Sequence, residues 1–217
     1  MYDFKIQLRK WQLFIKELGV CFYLPFLVNL FCIPLIVWQT YQVYGGQEET
    51  RLQMIRFSQY FTPVLVLLWV LFSMIKYIES DGNEIYFVTK VVKWKEILFL
   101  YVLYIILNTW PFLIYGILFQ GVGLEWVRIV LETFLFVAAA YAIAFFVKNI
   151  AVTLVIVLSY AFVSVFLRGQ TSAVYLYYGP YAMTMQELQS KYLWIGAVGI
   201  LLFLLGVWNN RHMKVYR

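Results

Sequence analysis

Six long apolar runs in 217 residues leave this chain almost no room for a water-soluble fold. Positions 18–47, 57–75, 97–124 and 149–167 carry no Asp, Glu, Lys or Arg at all, and 192–210 is equally bare. Positions 126–147 hold only Arg128 and Glu132, both in the first two helical turns. Each run reaches or approaches the ~20 residues that a helix needs to cross a bilayer. Only helices and closed barrels satisfy every backbone polar group in lipid. Runs this apolar, without a period-2 alternation, therefore predict an all-α, polytopic membrane protein with six crossings and no soluble domain. The composition agrees, at 64% hydrophobic and 13% charged, far from the balance of a soluble domain.

Details inside the runs refine the expectation. Pro25 and Pro34 are expected to bend the first crossing. Ala138, Ala139, Ala140, Ala142 and Ala144 form a small-residue section suited to close packing against another helix. Asn29, Asn108 and Thr109 are polar groups in apolar surroundings, read first as hydrogen-bond links between helices and second as a lining for a translocation path. Arg128 and Glu132, four residues apart, share a helix face and are expected to pair near a membrane surface, or to line the exit of the same path. Cys21 and Cys32 lie about 16 Å apart along a helix at ~1.5 Å per residue, too far to bridge.

The segments between runs carry the remaining signals. At the start, Phe4, Leu8, Trp11, Ile15 and Leu18 recur at helical spacing among Lys5, Arg9, Lys10 and Lys16, which predicts an interfacial helix over 1–18. Charges throughout that stretch argue against a cleavable signal peptide, so the first crossing is expected in the mature protein. Residues 79–96 form the longest charge-rich insert. Ser80, Asp81, Gly82 and Asn83 are turn formers, and Asp81 with Glu84 three residues on resembles a capping box. Ile85, Val88 and Val92 then share one face, with Lys90, Lys93 and Lys95 elsewhere, giving an amphipathic helix for a membrane surface or a partner's groove. The stretch 168–191 holds Gln170, Thr171, Ser172, Gly179, Pro180 and Thr184 among tyrosines. It is expected to form a re-entrant or surface-hugging turn on the rim of the bundle.

Charge bias orients the chain. With six crossings, all of the 17 Lys and Arg fall on the side of the termini and the 79–96 insert, except Arg51, Arg56, Arg128, Arg168 and Lys191. The positive-inside rule then places both termini and the insert in the cytoplasm of a cell-membrane protein. The net charge of +6 is spread along the flanks of the runs, which favours anionic lipid headgroups over nucleic acid. Catalytic signatures are missing: the sequence has no Gly-x-Ser-x-Gly, no His-Glu-x-x-His and one histidine, His212, in a basic tail. No Gly-x-x-x-x-Gly-Lys-[Ser/Thr] loop is present to cradle ATP phosphates. No catalytic, metal or cofactor residue is assigned.

This layout resembles the permease subunit of a type-2 ABC exporter. The resemblance covers nearly the whole chain and is carried locally by Glu79, Gly82-Asn83-Glu84-Ile85, Val88, Val92-Lys93 and Ile97-Leu98. Asn83 stands where that family carries Thr, and Lys90 stands near the place of its Pro. The resemblance implies a single transmembrane domain over 1–217, with 79–96 a cytoplasmic coupling helix between crossings two and three and 168–191 a re-entrant outer segment. Glu79, Gly82, Glu84, Ile85, Val88, Val92 and Lys93 would form the coupling surface. It further implies a cytoplasmic ATP-binding cassette subunit that binds ATP and magnesium, a second permease subunit, identical or sibling, and an amphipathic or hydrophobic cargo such as a peptide, a lipid-linked glycan or a drug. The rival expectation from another class is a non-transporting membrane sensor, immunity or assembly protein.

Overall fold

A computed structural model describes residues 15–16, 18–80, 93–119, 121–167, 176 and 183–212. The described chain folds into six helices. They are α1 (Val20–Tyr44), α2 (Gln47–Ile78), α3 (Lys93–Leu118), α4 (Val122–Val147), α5 (Ile150–Phe166) and α6 (Met185–Arg211). Five of them are long and apolar enough to cross a membrane, while α5 is apolar but only 17 residues long. Several such helices are compatible with a multi-pass membrane protein. The outward faces support this, because Val20, Ile117, Phe146 and Phe166 are each at least three-quarters exposed, a cost in water that hydrocarbon surroundings remove.

Successive helices alternate in direction. Gly45 takes φ 65° and ends α1 in the left-handed conformation that favours glycine. At the same end of the bundle, Gly121 turns the chain from α3 into α4 at φ 82°. At the opposite end, Lys148 adopts φ 59° and Asn149 caps α5 by accepting from Val152 N at 2.9 Å. The expected third and fourth runs, 97–124 and 126–147, thus divide at Gly121 and not at Glu125, because the turn is set by backbone freedom and Glu125 is absorbed into the first turn of α4.

Helix α4 is the axis of the bundle and packs against α2, α3, α5 and α6. The alanine section meets the expectation of close packing: Ala138, Ala140, Ala142 and Ala144 are buried. On the facing surface of α6, Gly206 lies against Tyr141 and Ala142, while Gly199 and Gly196 lie against Phe134, Leu135 and Leu131 earlier on α4. A Cβ at Gly206 would stand 2.4 Å from the Tyr141 ring and 3.1 Å from the Ala142 nitrogen. Removal of side chains from both surfaces lets two backbones approach, the usual basis of helix association in lipid. Around this contact lies one large core that includes Trp69, Tyr104, Phe136 and Tyr141. Trp69 stacks on Phe22 at 4.8 Å and donates to the Cys21 carbonyl at 3.1 Å, fixing α1 against α2.

Both α1 and α6 contain a widened π-turn. In α1 it spans Val28–Cys32, where Ile33 N bonds Val28 O. The prolines explain it: Pro34 has no N–H for the Leu30 carbonyl and its ring crowds that turn, so the helix opens between Pro25 and Pro34. In α6 it spans Leu188–Tyr192. Such turns occur often at functional sites, and each one here presents a polar residue to the bundle interior.

The last helix starts earlier than its apolar run at 192–210. Thr184 and Glu187 form a reciprocal capping box, with Thr184 Oγ1 accepting from Glu187 N and Glu187 Oε2 accepting from Thr184 N at 2.9 Å. Residues 185–191 of the expected re-entrant stretch are therefore the first turns of α6. Of the remainder, Leu176 is fully buried in the main core, and 168–175 and 177–182 lie outside the described residues. Most of the interfacial 1–18 stretch lies outside the described residues, as do Gly82, Glu84, Ile85, Val88 and Val92.

Candidate functional site: a buried polar interior

Two polar clusters occupy the apolar bundle. The first joins α1, α2 and α3. Asn29, in the π-turn, donates through Nδ2 to Asn108 Oδ1 at 2.6 Å and accepts from Thr62 Oγ1 at 2.8 Å. Asn108 Nδ2 donates to the Tyr104 carbonyl at 2.8 Å, and the Tyr104 hydroxyl donates to the Thr62 carbonyl at 2.5 Å. The cluster closes on itself and all four residues are buried. Asn29 and Asn108 are thereby brought together as a link between helices, while Thr109 bonds back to Ile105 O within its own helix at 2.8 Å and stays outside. Replacing Asn108 by Ala strips Asn29 Nδ2 of its acceptor. The expected cost is about 0.6–1.7 kcal/mol, the range for such bonds inside membrane proteins. Asn29→Ala combined with Asn108→Ala should cost less than the sum of the two. Unfolding titrations in mixed detergent micelles measure both.

The second cluster carries charge. Arg128, on α4, is 1% exposed and forms an ion pair with Glu125, three residues before it. Gln59 of α2 places its amide against the same guanidinium, and its oxygen is assigned to the inner position because only there can it accept from Arg128. The guanidinium carbon lies 5.8 Å from the centre of the Tyr192 ring, which the second π-turn supplies. Glu125 has a further partner, because its Oε1 accepts from the backbone N–H of Met183 at 2.7 Å. Tyr192 donates its hydroxyl to the Leu176 carbonyl at 2.8 Å.

Glu132 completes the cluster and differs from the rest. It is 0% exposed, and among the described residues no hydrogen bond of ordinary length reaches either carboxylate oxygen, although the Tyr192 hydroxyl lies near enough to act on it. Its electrostatic neighbours are Arg128, Glu125, Lys191 and Tyr192. It lies about 15 Å along the helix below Val122 at ~1.5 Å per residue. The expected pair of Arg128 with Glu132 near a membrane surface therefore takes another form. Both residues are inside the bundle, and the guanidinium turns toward the helix start, where Glu125 offers one oxygen and is itself fixed by Met183.

The 79–96 insert is described at its two ends. Glu79 Oε1 accepts from Ile150 N at 2.6 Å, adding a carboxylate to the N-terminus of α5, where the helix dipole favours it. Lys93 is buried, donating to Asn210 Oδ1 of α6 at 3.3 Å with its ammonium 5.5 Å from the Tyr77 ring centre. Glu96 accepts from the Tyr77 hydroxyl and lies 3.8 Å from Lys76 Nζ. Lys93 and Glu96 thus belong to the first turn of α3.

Sequence reasoning missed Glu125, Gln59, Thr62, Lys191 and Tyr192. A signal existed for two of them: Glu125 stands at i−3 from Arg128, and Gln59 is an amide inside the uncharged run 57–75. Lys191 and Tyr192 were legible only as a loop and a run boundary. Among the described residues no group of three or more His, Cys, Asp or Glu is placed to hold a metal ion. Comparisons of the chain with protein-family models, with curated proteins and with solved structures give no match.

Proposed function

We propose that this chain is the permease subunit of an ATP-driven ABC exporter, with six crossings, both termini cytoplasmic and α5 as the fifth crossing. At about 26 Å for 17 residues, α5 falls a little short of a ~30 Å hydrocarbon core, a mismatch that local thinning absorbs. The observation that carries the reading is the clamping of the 79–96 insert at both ends, through Glu79 to the start of α5 and through Lys93 to the end of α6. A force applied to the insert by a cytoplasmic ATPase would reach α2, α3, α5 and α6 together. ATP and magnesium belong to that ATPase subunit, and a second permease subunit completes the pathway. The cargo is an amphipathic or hydrophobic molecule, with Asn29, Asn108, Thr109, Arg128 and Glu132 the polar groups nearest its route.

Ile85→Asp and Glu84→Ala test this. The first puts a charge on the apolar face of the coupling stretch, and the second removes a helix-start carboxylate worth about 0.5–2 kcal/mol to the local helix. Both variants are expected to insert normally, since no apolar run is touched. Ile85→Asp is expected to lose co-purification of the ATPase subunit, and both to lose cargo-stimulated ATP hydrolysis in reconstituted vesicles. Full binding and full stimulation by Ile85→Asp would transfer support to a non-transporting sensor, immunity or assembly protein.

A further inference from the structure

The bond from Asn29 to Asn108 holds the π-turn of α1 against α3 at 2.6 Å, and past it the two helices part. About one turn further along each helix stands a proline, Pro34 on α1 and Pro111 on α3. Each removes a helix hydrogen bond and crowds the preceding turn. The space beyond them is a cavity of about 560 Å³ that both prolines border. It runs along α1 from Leu30 to Tyr41 and along α3 to Phe119, with Thr50 of α2 at the end where Gly45 and Gly121 turn the chain. From Leu30 to Tyr41 is about 16 Å at ~1.5 Å per residue, which is half of a ~30 Å hydrocarbon core. The cavity is therefore one leaflet deep. Val37 and Tyr115 are buried and form its floor, while Trp38, Ile114 and Leu118 at its rim are each more than half exposed. It opens on the outward, apolar surface of the bundle.

Water is a poor occupant, because the walls are almost wholly apolar and a buried water needs several polar partners. A void left empty forfeits the dispersion contacts of its whole lining. What adjoins the rim in a bilayer is hydrocarbon. We propose that this cavity binds one acyl chain of a membrane lipid, seated lengthwise with its methyl end at Leu30 and Pro34 and its ester end at Tyr41 and Thr50. The two ends of the cavity set that direction. Past Leu30 lies the Asn29 cluster, whose hydrogen bonds close on themselves and leave nothing for a headgroup. At the other end stand the Thr50 hydroxyl and, next to it in the chain, Arg51 in its 2.6 Å pair with Glu48. Recognition is by shape and length, since a chain that spans one leaflet fills the slot and a shorter one leaves part of it empty. The site goes beyond the permease reading and does not rest on it. A resident lipid needs no ATPase, only that α1 and α3 lie in a bilayer.

The test uses the purified full chain in detergent micelles and two phosphatidylcholine probes, one with a photoreactive diazirine near the methyl end of an acyl chain and one with it near the ester. Cross-linked peptides are mapped by mass spectrometry. Labelling should saturate at one lipid per chain. The methyl-end probe should mark Leu30, Pro34 and Pro111, and the ester-end probe Tyr41, Leu118 and Phe119. Unlabelled lipid with chains one leaflet long should compete several-fold better than lipid with chains half that length. Val37→Phe fills the floor and should lower the saturable label about tenfold, the scale of overpacking by a ring. Val155→Phe, the same change on the exposed face of α5, should leave it unchanged. The site is overturned if labelling does not saturate and falls equally on α5, which would mean boundary lipid only, or if both probes mark the same residues. It is also overturned if Val37→Phe has no effect, or if a compact aromatic compound or a second copy of the chain cross-links at Trp38 while lipid does not. Should Val37→Phe fail to fold, Ile114→Trp at the half-exposed rim and the register of the two probes decide.

Discussion

Arg128→Met is expected to destabilise the folded chain by about 3–5 kcal/mol, the cost of leaving buried charge uncompensated. Methionine fills much of the same volume, so the loss is electrostatic. Glu125 and Glu132 then face each other across one helix face with no cation between them, and Gln59 and Tyr192 lose their contact with the guanidinium. Arg128→Lys should fall in between, keeping the charge but not the planar fork that spans Glu125 and Gln59. Combining Arg128→Met with Glu125→Gln and Glu132→Gln should recover part of the stability, because neither acid then needs the cation, while Lys191 loses the neighbouring charge of Glu132. Equilibrium unfolding of the purified protein in lipid–detergent bicelles resolves these steps. A loss under about 1 kcal/mol for Arg128→Met would show that the cluster is solvated in the folded state, against its burial.

The second large effect is steric. Gly206→Leu is expected to separate α6 from α4, since even a Cβ at that position meets the Tyr141 ring at 2.4 Å and the Ala142 backbone at 3.1 Å. Overpacking costs about 1–3 kcal/mol where neighbours can shift, and a backbone nitrogen shifts less easily than a side-chain tip. Gly206→Ala should therefore sit near the top of that range. Gly196→Ala, which meets only the flexible end of Leu131 at 3.2 Å, should cost well under 1 kcal/mol. Thermal unfolding followed by tryptophan fluorescence separates the two positions, and equal losses would mean that the close approach at Gly206 does not govern this interface.

The charge-free runs by themselves determined that the chain is helical and where most helices lie, because in an apolar surrounding a helix satisfies every N–H and C=O of a run within that run. The prolines at 25 and 34 likewise foretold a distorted α1, and the alanines from 138 to 144 foretold a close helix contact, since both effects arise within a few residues of sequence. Tertiary structure alone decided that the facing surface is Gly196, Gly199 and Gly206, and that Asn29 finds Asn108 and Thr62 on two other helices. It also decided that Arg128 serves Glu125 and not Glu132. Spacings of three and four residues made both acids reachable, and a helix period cannot choose between i−3 and i+4. What fixes Glu125 is the backbone N–H of Met183, some sixty positions away in the chain, while neither oxygen of the buried Glu132 has a hydrogen bond of ordinary length among the described residues.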